Sequence, residues 1–458
     1  MAEMKYDPYA LSADAIVEPP PSLGAALRKI GPGLILAGSI VGTGELIATT
    51  NVGAKAGFVL LWLVLLSCFI KVFVQIELGR YAVSSGQTTL SGFRSLPGVG
   101  RPILWWWLVM VLVTQTQIGA MLGGVAYALH LAIPVIPDLT YQVIICVVTA
   151  AMLVTGSYRL IERFSITLVA TFSFLTLACV ALLPWTGHAF SWGDISSGFS
   201  FQIPNHAVGA AFAMFGITGV GATELISYPY WCIEKGYARN VGPREDSESW
   251  YRRARGWLRV MKLDAWASLV VYTTATLAFY FLGAAVLHER VGDLPDTAEK
   301  MLHALAQMYE PVMGPKAATW FIVVGAFATL YSTFFAAIAS NSRVLTDFLH
   351  VANLTRFSKP EDRVWWVRVL SVALVILGFV LFQLMEKPVL MVTIGGFMQA
   401  VTLPIIAGAA MFFRYRRTDP RLVSGRLWDV FLVLSSLALL LTAAYGIADQ
   451  LSKVWSAR

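Results

Sequence analysis

The chain has 458 residues, of which 57% are hydrophobic and only 13% are charged, and its mean hydropathy is +0.67. This composition excludes an ordinary soluble protein, since soluble chains of this length carry far more charge. The net charge of +7 does not indicate a nucleic-acid partner, because the lysines and arginines gather between apolar runs. Apolar runs of about 20 residues, the length that crosses a bilayer, recur along the chain. We therefore predict an all-α polytopic membrane protein.

About eleven apolar spans are predicted in chain order. Residues 1–30 precede them and are expected to form a flexible cytoplasmic tail without a cleavable signal peptide, because this stretch is polar and proline-rich. The predicted spans run from about 31 to 52, 57 to 81, 102 to 131, 141 to 156, 164 to 184, 207 to 233, 263 to 287, 317 to 340, 364 to 385, 389 to 413 and 427 to 447.

Basic residues between the spans predict the orientation in the membrane. They are dense after the sixth, eighth and tenth spans, whereas residues 185–206 contain no lysine or arginine. Because cytoplasmic loops carry the excess of lysine and arginine, we predict a cytoplasmic amino terminus and an external carboxyl terminus. The expected location is a bacterial inner (plasma) membrane.

Two short stretches look like copies of each other and share the pattern Gly-x-x-Glu-Leu-Ile. They are Gly42-Thr43-Gly44-Glu45-Leu46-Ile47 in span one and Gly221-Ala222-Thr223-Glu224-Leu225-Ile226 in span six. Glycine and threonine weaken a helix, and a carboxylate at membrane depth marks a functional site by default. Paired breaks of this kind are typical of transporter binding sites. Tight helix packing through small residues is the alternative, but packing alone does not require either glutamate.

The position of these breaks predicts an inverted repeat. Span six follows span one at an offset of five spans, and an odd offset makes matching elements run in opposite directions through the membrane. We predict a first repeat over residues 31–185 and a second over 186–413, with helix 11 and the carboxyl terminus in 414–458.

The first two spans carry the most specific motifs in the sequence. These are Gly31-Pro32-Gly33, Gly42-Thr43-Gly44-Glu45, Asn51-Val52-Gly53-Ala54-Lys55-Ala56-Gly57 and Leu60-Leu61-Trp62; weaker ones are Gln75 with Arg80, Ile118-Gly119-Ala120 and Leu403-Pro404. The stretch closely resembles the start of the Nramp family of proton-coupled divalent-metal transporters. The resemblance implies a LeuT-like fold with about eleven transmembrane helices, a 5+5 inverted repeat and broken helices 1 and 6.

The site motifs depart from that family. Its Asp-Pro-Gly-Asn motif is replaced here by Gly42 to Glu45, and its Met-Pro-His-Asn motif by Gly221 to Glu224. The family's acidic residues of span three correspond to Thr116 and its polar neighbours. The tenth-span glutamine ligand corresponds to Gly396, with Gln399 one turn away.

From the residues at the two breaks we predict a cation site. A broken helix exposes carbonyl groups where its first half ends, which here means Ile40, Val41 and Gly42, and Thr218 and Gly219. Two carboxylates with carbonyl oxygens and water suit a hard cation such as Mg²⁺, Ca²⁺ or Mn²⁺. The predicted binding residues are Gly42, Glu45, Thr218, Gly221 and Glu224, with Thr43, Gly44, Ala222 and Thr223 as helix breaks and Lys71, Gln75, Thr116 and Gln399 as coupling or neighbouring residues. The alternative is that each glutamate only caps its own half-helix.

Lys71 is the residue least compatible with a metal site. It lies inside span two, where a cation must pair or reach water. Pairing with Glu77, Glu45 or Glu224 is open, and so is extension to the cytoplasmic surface. An ammonium facing the cavity would repel a divalent metal and favour an organic solute such as an amino acid. Pro229 is expected to end or kink the second half of span six, and Tyr228, Tyr230 and Trp231 are candidates to cage such a solute.

Three classes of function remain open at this point. The first is a secondary transporter of a divalent metal cation by alternating access. The second is a proton- or sodium-coupled transporter of an organic solute with the same fold. The third is a membrane sensor or an enzyme, which we do not expect, because the chain has no nucleophile elbow, phosphate-binding loop, dinucleotide fingerprint or zinc motif. No cofactor is predicted, and Cys68, Cys146, Cys179 and Cys232 lack metal-ligand spacing.

Overall fold

The computed structural model describes residues 9–33, 42–155 and 159–456, and these residues contain helices but no β-strand. The helices are α1 (Leu23–Leu27), α2 (Thr50–Ala56), α3 (Leu61–Ser85), α4 (Thr89–Arg94), α5 (Gly100–Ala132), α6 (Asp138–Thr155), α7 (Arg159–Leu182), α8 (Trp192–Ser197), α9 (Val208–Ile217), α10 (Ala222–Glu234), α11 (Tyr237–Val241), α12 (Glu248–Leu282), α13 (His288–Arg290), α14 (Ala298–Gln307), α15 (Glu310–Met313), α16 (Pro315–Val351), α17 (Pro360–Met385), α18 (Pro388–Arg416) and α19 (Arg426–Ser456). Two π-helical segments, Thr43–Thr49 and Gly283–Leu287, lead into α2 and α13.

Ten helical stretches in the described part of the chain are long and apolar enough to cross a membrane. They coincide with the second to eleventh predicted spans and confirm a polytopic helical protein. The first predicted span includes residues 34–41, which lie outside the described residues, as do the predicted carbonyl groups of Ile40 and Val41.

The ends of two spans were predicted wrongly. α12 begins at Glu248 rather than near residue 263, and α16 continues to Val351 rather than ending near residue 340. A helix satisfies its own backbone hydrogen bonds, so it extends past the apolar part of a span wherever its sequence permits. Part of the basic sequence assigned to loops, including Arg255 and Arg343, is therefore helical.

Close helix crossings at glycines hold the centre of the bundle together. α9 packs on α18, and a Cβ atom at Gly216 would lie 2.0 Å from the carbonyl oxygen of Gly396. The π-helical segment after α12 packs on α2 in the same way, since a Cβ at Gly283 would lie 2.5 Å from the carbonyl oxygen of Thr50. Small residues allow such backbone contact between membrane helices.

The Gly-Pro-Gly motif is anchored to the second half of the chain. Asp264 of α12 is fully buried and accepts hydrogen bonds from the backbone N–H groups of Gly31, at 2.8 Å, and Gly33, at 2.5 Å. The Tyr228 hydroxyl of α10 donates to the same carboxylate at 3.0 Å. Asp264 therefore joins the start of the first span to helices of the predicted second repeat.

Candidate functional site

The second predicted break is present between α9 and α10. Thr218 and Gly221 are extended, and Gly219 has a φ of +68°, a conformation that glycine adopts without the steric cost of a side chain. α10 begins at Ala222, so Glu224 lies in its first turn. The glycines thus stop α9 and allow the chain to restart as a second half-helix.

The described end of the first break is Gly42, whose φ of −148° and ψ of −123° are not helical. The π-helical segment begins at Thr43 and includes Glu45 in its first turn. The Thr49 hydroxyl donates to the backbone carbonyl oxygen of Gly44 at 2.8 Å. The Thr50 hydroxyl donates to the backbone carbonyl oxygen of Glu45 at 3.3 Å. Threonine hydroxyls in a helix often donate to preceding backbone carbonyl groups in this way. Here they give hydrogen-bond donors to carbonyl groups that lack an α-helical partner because the π-helical turn is wider.

Both breaks border one cavity of about 60 Å³. Thr43 and Gly44 line it from the first break, and Thr223 and Glu224 line it from the second. The remaining lining residues are Thr114, Gln117, Ile118, Met121, Ile217, Ser227, Trp231, Thr333, Ala336, Ala337, Ser340, Asn341 and Gln399. Since a water needs roughly 10–15 Å³ of such space, the cavity has room for a small ion with a few waters.

A connected series of polar groups runs along the cavity. The Thr223 hydroxyl donates to Glu224 Oε2 at 2.8 Å, and the Thr223 N–H donates to Gln399 Oε1 at 3.2 Å. Gln399 Nε2 in turn donates to Gln117 Oε1 at 3.0 Å. Gly221 makes this arrangement possible, because a Cβ there would lie 2.5 Å from Glu224 Oε2 and 2.6 Å from Gln399 Oε1. The site therefore combines one carboxylate with amide and hydroxyl oxygens.

Glu45 occupies a different place from Glu224. Its side chain is fully buried and does not line the cavity, whereas Glu224 is half-buried and does. Glu45 Oε1 accepts a hydrogen bond from the Gly219 N–H at 3.3 Å and from the Thr276 hydroxyl at 3.2 Å, while Oε2 has no hydrogen-bond partner among the described residues. In the part of the chain that the structure describes, Glu224 lines this cavity and Glu45 does not. Glu45 instead connects the first break to the backbone of the second.

Lys71 neither reaches the surface nor lines the cavity, and it forms no ion pair with a glutamate among the described residues. Its side chain is fully buried. The ammonium donates to the carbonyl oxygens of Phe215, at 2.5 Å, and Thr218, at 2.8 Å, where α9 ends. Cations are favourable at a helix carboxyl end, because the free carbonyl groups there carry partial negative charge. Lys71 therefore fills the carbonyl position that we assigned to a substrate cation at Thr218.

Glu77, one of the residues considered as a partner of Lys71, pairs elsewhere. Its carboxylate binds Arg80 at 3.0 Å and Arg414 at 3.1 Å and accepts a hydrogen bond from the Trp428 indole at 2.6 Å. These neighbours surround Glu77 with donors, which explains why it is unavailable to Lys71.

The other predicted residues divide into lining and structural positions. Gln399 and Trp231 line the cavity, whereas Gln75 is fully buried and its amide group has no hydrogen-bond partner within residues 9–33, 42–155 and 159–456. The Thr116 hydroxyl donates to the carbonyl oxygen of Met391 at 2.9 Å. Gly42, Thr218 and Ala222 do not line the cavity either.

Pro229 does not end its helix, and the predicted kink there stays a prediction; the tyrosines do not have the predicted place in the cavity. α10 continues through Pro229 to Glu234. Tyr228 and Tyr230 are buried and donate to Asp264 and Asp347, respectively, and thus do not cage a solute.

Sequence reasoning singled out Thr116 and its polar neighbours on α5 but missed Met121 there and the cavity residues of α16. Gln117 and Met121 lie one turn apart on α5, and Thr333, Ser340 and Asn341 lie on α16. Polar side chains within long apolar runs were the available signal, most clearly Ser340 and Asn341 at the end of the eighth predicted span.

The chain is similar over most of its length to known membrane transporters. A family model described as natural resistance-associated macrophage protein-like (Nramp) matches residues 33–449. The chain belongs to the Nramp family. A divalent metal cation transporter, MntH 1 of Pseudomonas aeruginosa, is 24% identical over 365 residues and covers 76% of each chain. An uncharacterized protein of Pasteurella multocida is 26% identical over 348 residues, covering 72% of this chain and 73% of its own.

Solved structures establish the fold of this Nramp protein. A mutant of the Eremococcus coleocola manganese transporter matches with a TM-score of 0.71 at 16% identity, covering 97% of this chain and 92% of that one. Mhp1, a nucleobase-cation-symport-1 family transporter, matches with a TM-score of 0.58 at 15% identity, covering 92% and 90%. The predicted LeuT-like fold is confirmed.

The donor set of the Nramp protein's cavity is rich in oxygen and poor in strong metal ligands. Among the described residues, no group of three or more histidine, cysteine, aspartate or glutamate side chains is placed to hold a metal ion. Glu224 supplies the negative charge, and Gln117, Thr223, Asn341 and Gln399 supply neutral oxygens. Such a set suits a hard cation that keeps part of its water shell.

Proposed function

We propose that the chain is a secondary transporter that moves a divalent metal cation by alternating access, with Glu224 as the charged ligand in the cavity. The observation that carries the proposal is the Glu224 carboxylate, half-buried in a cavity bordered by both helix breaks. Membership of the Nramp family and relatives named divalent metal cation transporters support it. We further propose a bacterial inner-membrane location with a cytoplasmic amino terminus.

The oxygen-rich cavity favours Mg²⁺, Ca²⁺ or Mn²⁺ over softer ions. Gly221 stands where the family motif has methionine, which removes that thioether from the site. Met121 of α5 also lines the cavity, so one sulfur atom remains near Glu224. Glu224 and the amide oxygens define the preferred ligands, and Met121 is a weaker, secondary donor.

An organic solute is less compatible with the geometry than a small ion. The ammonium group of Lys71, which would have favoured such a solute, is bound to carbonyl groups outside the cavity. The volume of about 60 Å³ also suits an ion with a few waters better than a larger molecule.

Calorimetric binding of Mg²⁺, Ca²⁺ and Mn²⁺ to purified protein, with uptake into liposomes, tests this function. Glu224→Gln keeps the size of the side chain but removes its charge, so it should weaken binding about tenfold or more. Glu361→Gln is the matched control, because Glu361 is exposed at the start of α17. Glu45→Gln should weaken binding less than Glu224→Gln. If the wild type binds none of these ions, or all variants bind equally, the proposal fails.

A further inference from the structure

A second cavity, of about 210 Å³, lies where α3, α12 and the link between α18 and α19 meet. Four of its nine lining residues are cationic and none is acidic. The cations are Arg80 of α3, Arg255 and Lys262 of α12, and Arg421 of the link. Arg255 and Arg421 are both exposed, so the cavity reaches the surface of the protein.

Two of the four cations are already neutralised. Arg80 pairs with Glu77 at 3.0 Å, and Arg421 pairs with Asp419 at 2.9 Å and Asp246 at 3.1 Å. The hydrogen bonds from Arg421 hold the pKa of the Asp419 carboxyl below its usual range, which keeps this partner ionised.

The other two cations have no acidic partner. Neither Arg255 nor Lys262 forms an ion pair with a carboxylate in the described parts of the chain. Lys262 lies near the Glu77 carboxylate, but Glu77 already pairs with Arg80 and Arg414. Arg80, Arg414 and Arg255 all repel the Lys262 ammonium. The cavity therefore holds positive charge that the protein itself does not balance, and a cation cluster of this kind attracts anions.

Ser424 adds a directional hydrogen-bond donor to this charge. Its hydroxyl oxygen accepts from Arg80 at 2.9 Å and from Lys262 at 3.1 Å. Two accepted bonds use both lone pairs of a hydroxyl oxygen, so its hydrogen is available to donate. An ammonium, a guanidinium and a hydroxyl around one cavity match the several acceptor oxygens of a phosphate group.

We propose that this cavity binds a phosphate-bearing anion, held by Arg255, Lys262 and Ser424. The source is either the headgroup of an anionic lipid or phosphate from solution. Basic cavities between transmembrane helices bind lipid headgroups through the same chemistry. The site is separate from the cavity of Glu224 and does not depend on metal transport. An anion here joins α3, α12 and the link before α19, and should therefore stabilise the folded protein.

The test measures thermal stability of the full chain in nanodiscs. In the first arm, zwitterionic phosphatidylcholine discs are titrated with inorganic phosphate, with chloride at matched ionic strength as the reference. In the second arm, phosphatidylglycerol replaces part of the phosphatidylcholine. Arg255→Gln and Lys262→Gln are compared with Arg101→Gln, a control that removes the same charge from an exposed position on α5 outside the cavity.

We expect phosphate or phosphatidylglycerol to raise the melting temperature of the wild type and of Arg101→Gln. Arg255→Gln and Lys262→Gln should each raise the half-saturating concentration about tenfold or abolish the shift. A response to dissolved phosphate identifies a solution anion, and a response to phosphatidylglycerol alone identifies a lipid headgroup. Absence of a shift in both arms, or equal shifts in all variants, overturns the proposal. Because Arg255 is exposed, its variant remains informative if Lys262→Gln does not fold.

Discussion

Gly221 lies where two oxygen atoms approach the backbone closely, Glu224 Oε2 and Gln399 Oε1. Gly221→Ala should displace both, because a Cβ would lie 2.5 and 2.6 Å from them. The fold should persist, since both atoms end flexible side chains and the φ of −72° suits alanine. We expect metal affinity to fall about tenfold, measured by calorimetry with a melting curve as the control for folding. Unchanged affinity would place the metal away from these oxygens.

Gly221→Met tests the selectivity of the cavity. A thioether favours soft ions, so the ratio of Cd²⁺ affinity to Mg²⁺ affinity should be higher in Gly221→Met than in Gly221→Ala. Gly221→Ala is the control, because its Cβ displaces the same two oxygen atoms but it adds no sulfur. Met121→Leu supplies the complementary measurement, because it removes the sulfur already present. If the wild type binds Cd²⁺ far more tightly than Mg²⁺ and Met121→Leu removes this preference, the hard-ion prediction is wrong.

The sequence predicted Glu224 and Gln399 at the cavity but could not separate Glu224 from Glu45. Both follow the same Gly-x-x-Glu pattern, and the direction of each side chain depends on neighbours far away in the chain. Thr276 and Gly219 hold Glu45, and neither is near it in sequence. Lys71 escaped prediction for the same reason, since its partners are backbone carbonyl groups, which every residue carries.

Among the helices, α9 and α18 provide a direct test of packing. Gly216→Ala should force them apart, because its Cβ would lie 2.0 Å from the Gly396 carbonyl oxygen, and backbone yields less readily than a side-chain end. Overpacking of this kind costs about 1–3 kcal/mol or more. Gly209→Ala on the same helix is the matched control, since the nearest atom to its Cβ is 3.5 Å away. The melting temperatures of the two variants are measured in detergent, and Gly216→Ala should melt lower. Equal melting temperatures would contradict the close contact between Gly216 and Gly396.

The carboxyl end of α9 depends on Lys71. Lys71→Met should leave the carbonyl groups of Phe215 and Thr218 with the Ser67 hydroxyl as their remaining side-chain donor among the described residues, at 3.3 Å from each. A buried acceptor without a donor costs about 1–3 kcal/mol, so the melting temperature and uptake should both fall. The exposed Lys316→Met is the control for the substitution itself. Stability equal to that of the control would show that the ammonium does not hold this half-helix.

The sequence located ten of the helices and the second break but not all helix ends. Apolar length is a strong signal for a membrane span, and the glycines around residue 219 mark the break. α10 continues through Pro229, and α12 begins at Glu248, well before the apolar run that starts near residue 263. Both features depend on packing and on contact with water rather than on apolar content, so hydropathy does not predict them.

For the whole molecule, the distribution of basic residues predicts the sidedness. Ser200→Cys lies in the segment without lysine or arginine and Ser249→Cys at the start of α12, and both positions are exposed. We expect a membrane-impermeant thiol reagent to label Ser200→Cys in intact cells and Ser249→Cys only after permeabilisation. The wild type is the control, since three of its four cysteines are buried. The reverse pattern would invert the predicted topology.

The convergence of three hydrogen bonds on Asp264 limits how the protein changes shape. Gly31, Gly33 and Tyr228 all donate to this single carboxylate, which lies on a third helix. If Asp264 moves away from the start of the first span, both backbone bonds break in the same event, and the loss is not spread over small steps. This end of the protein should therefore open as an all-or-none transition, with few partly open molecules at any moment.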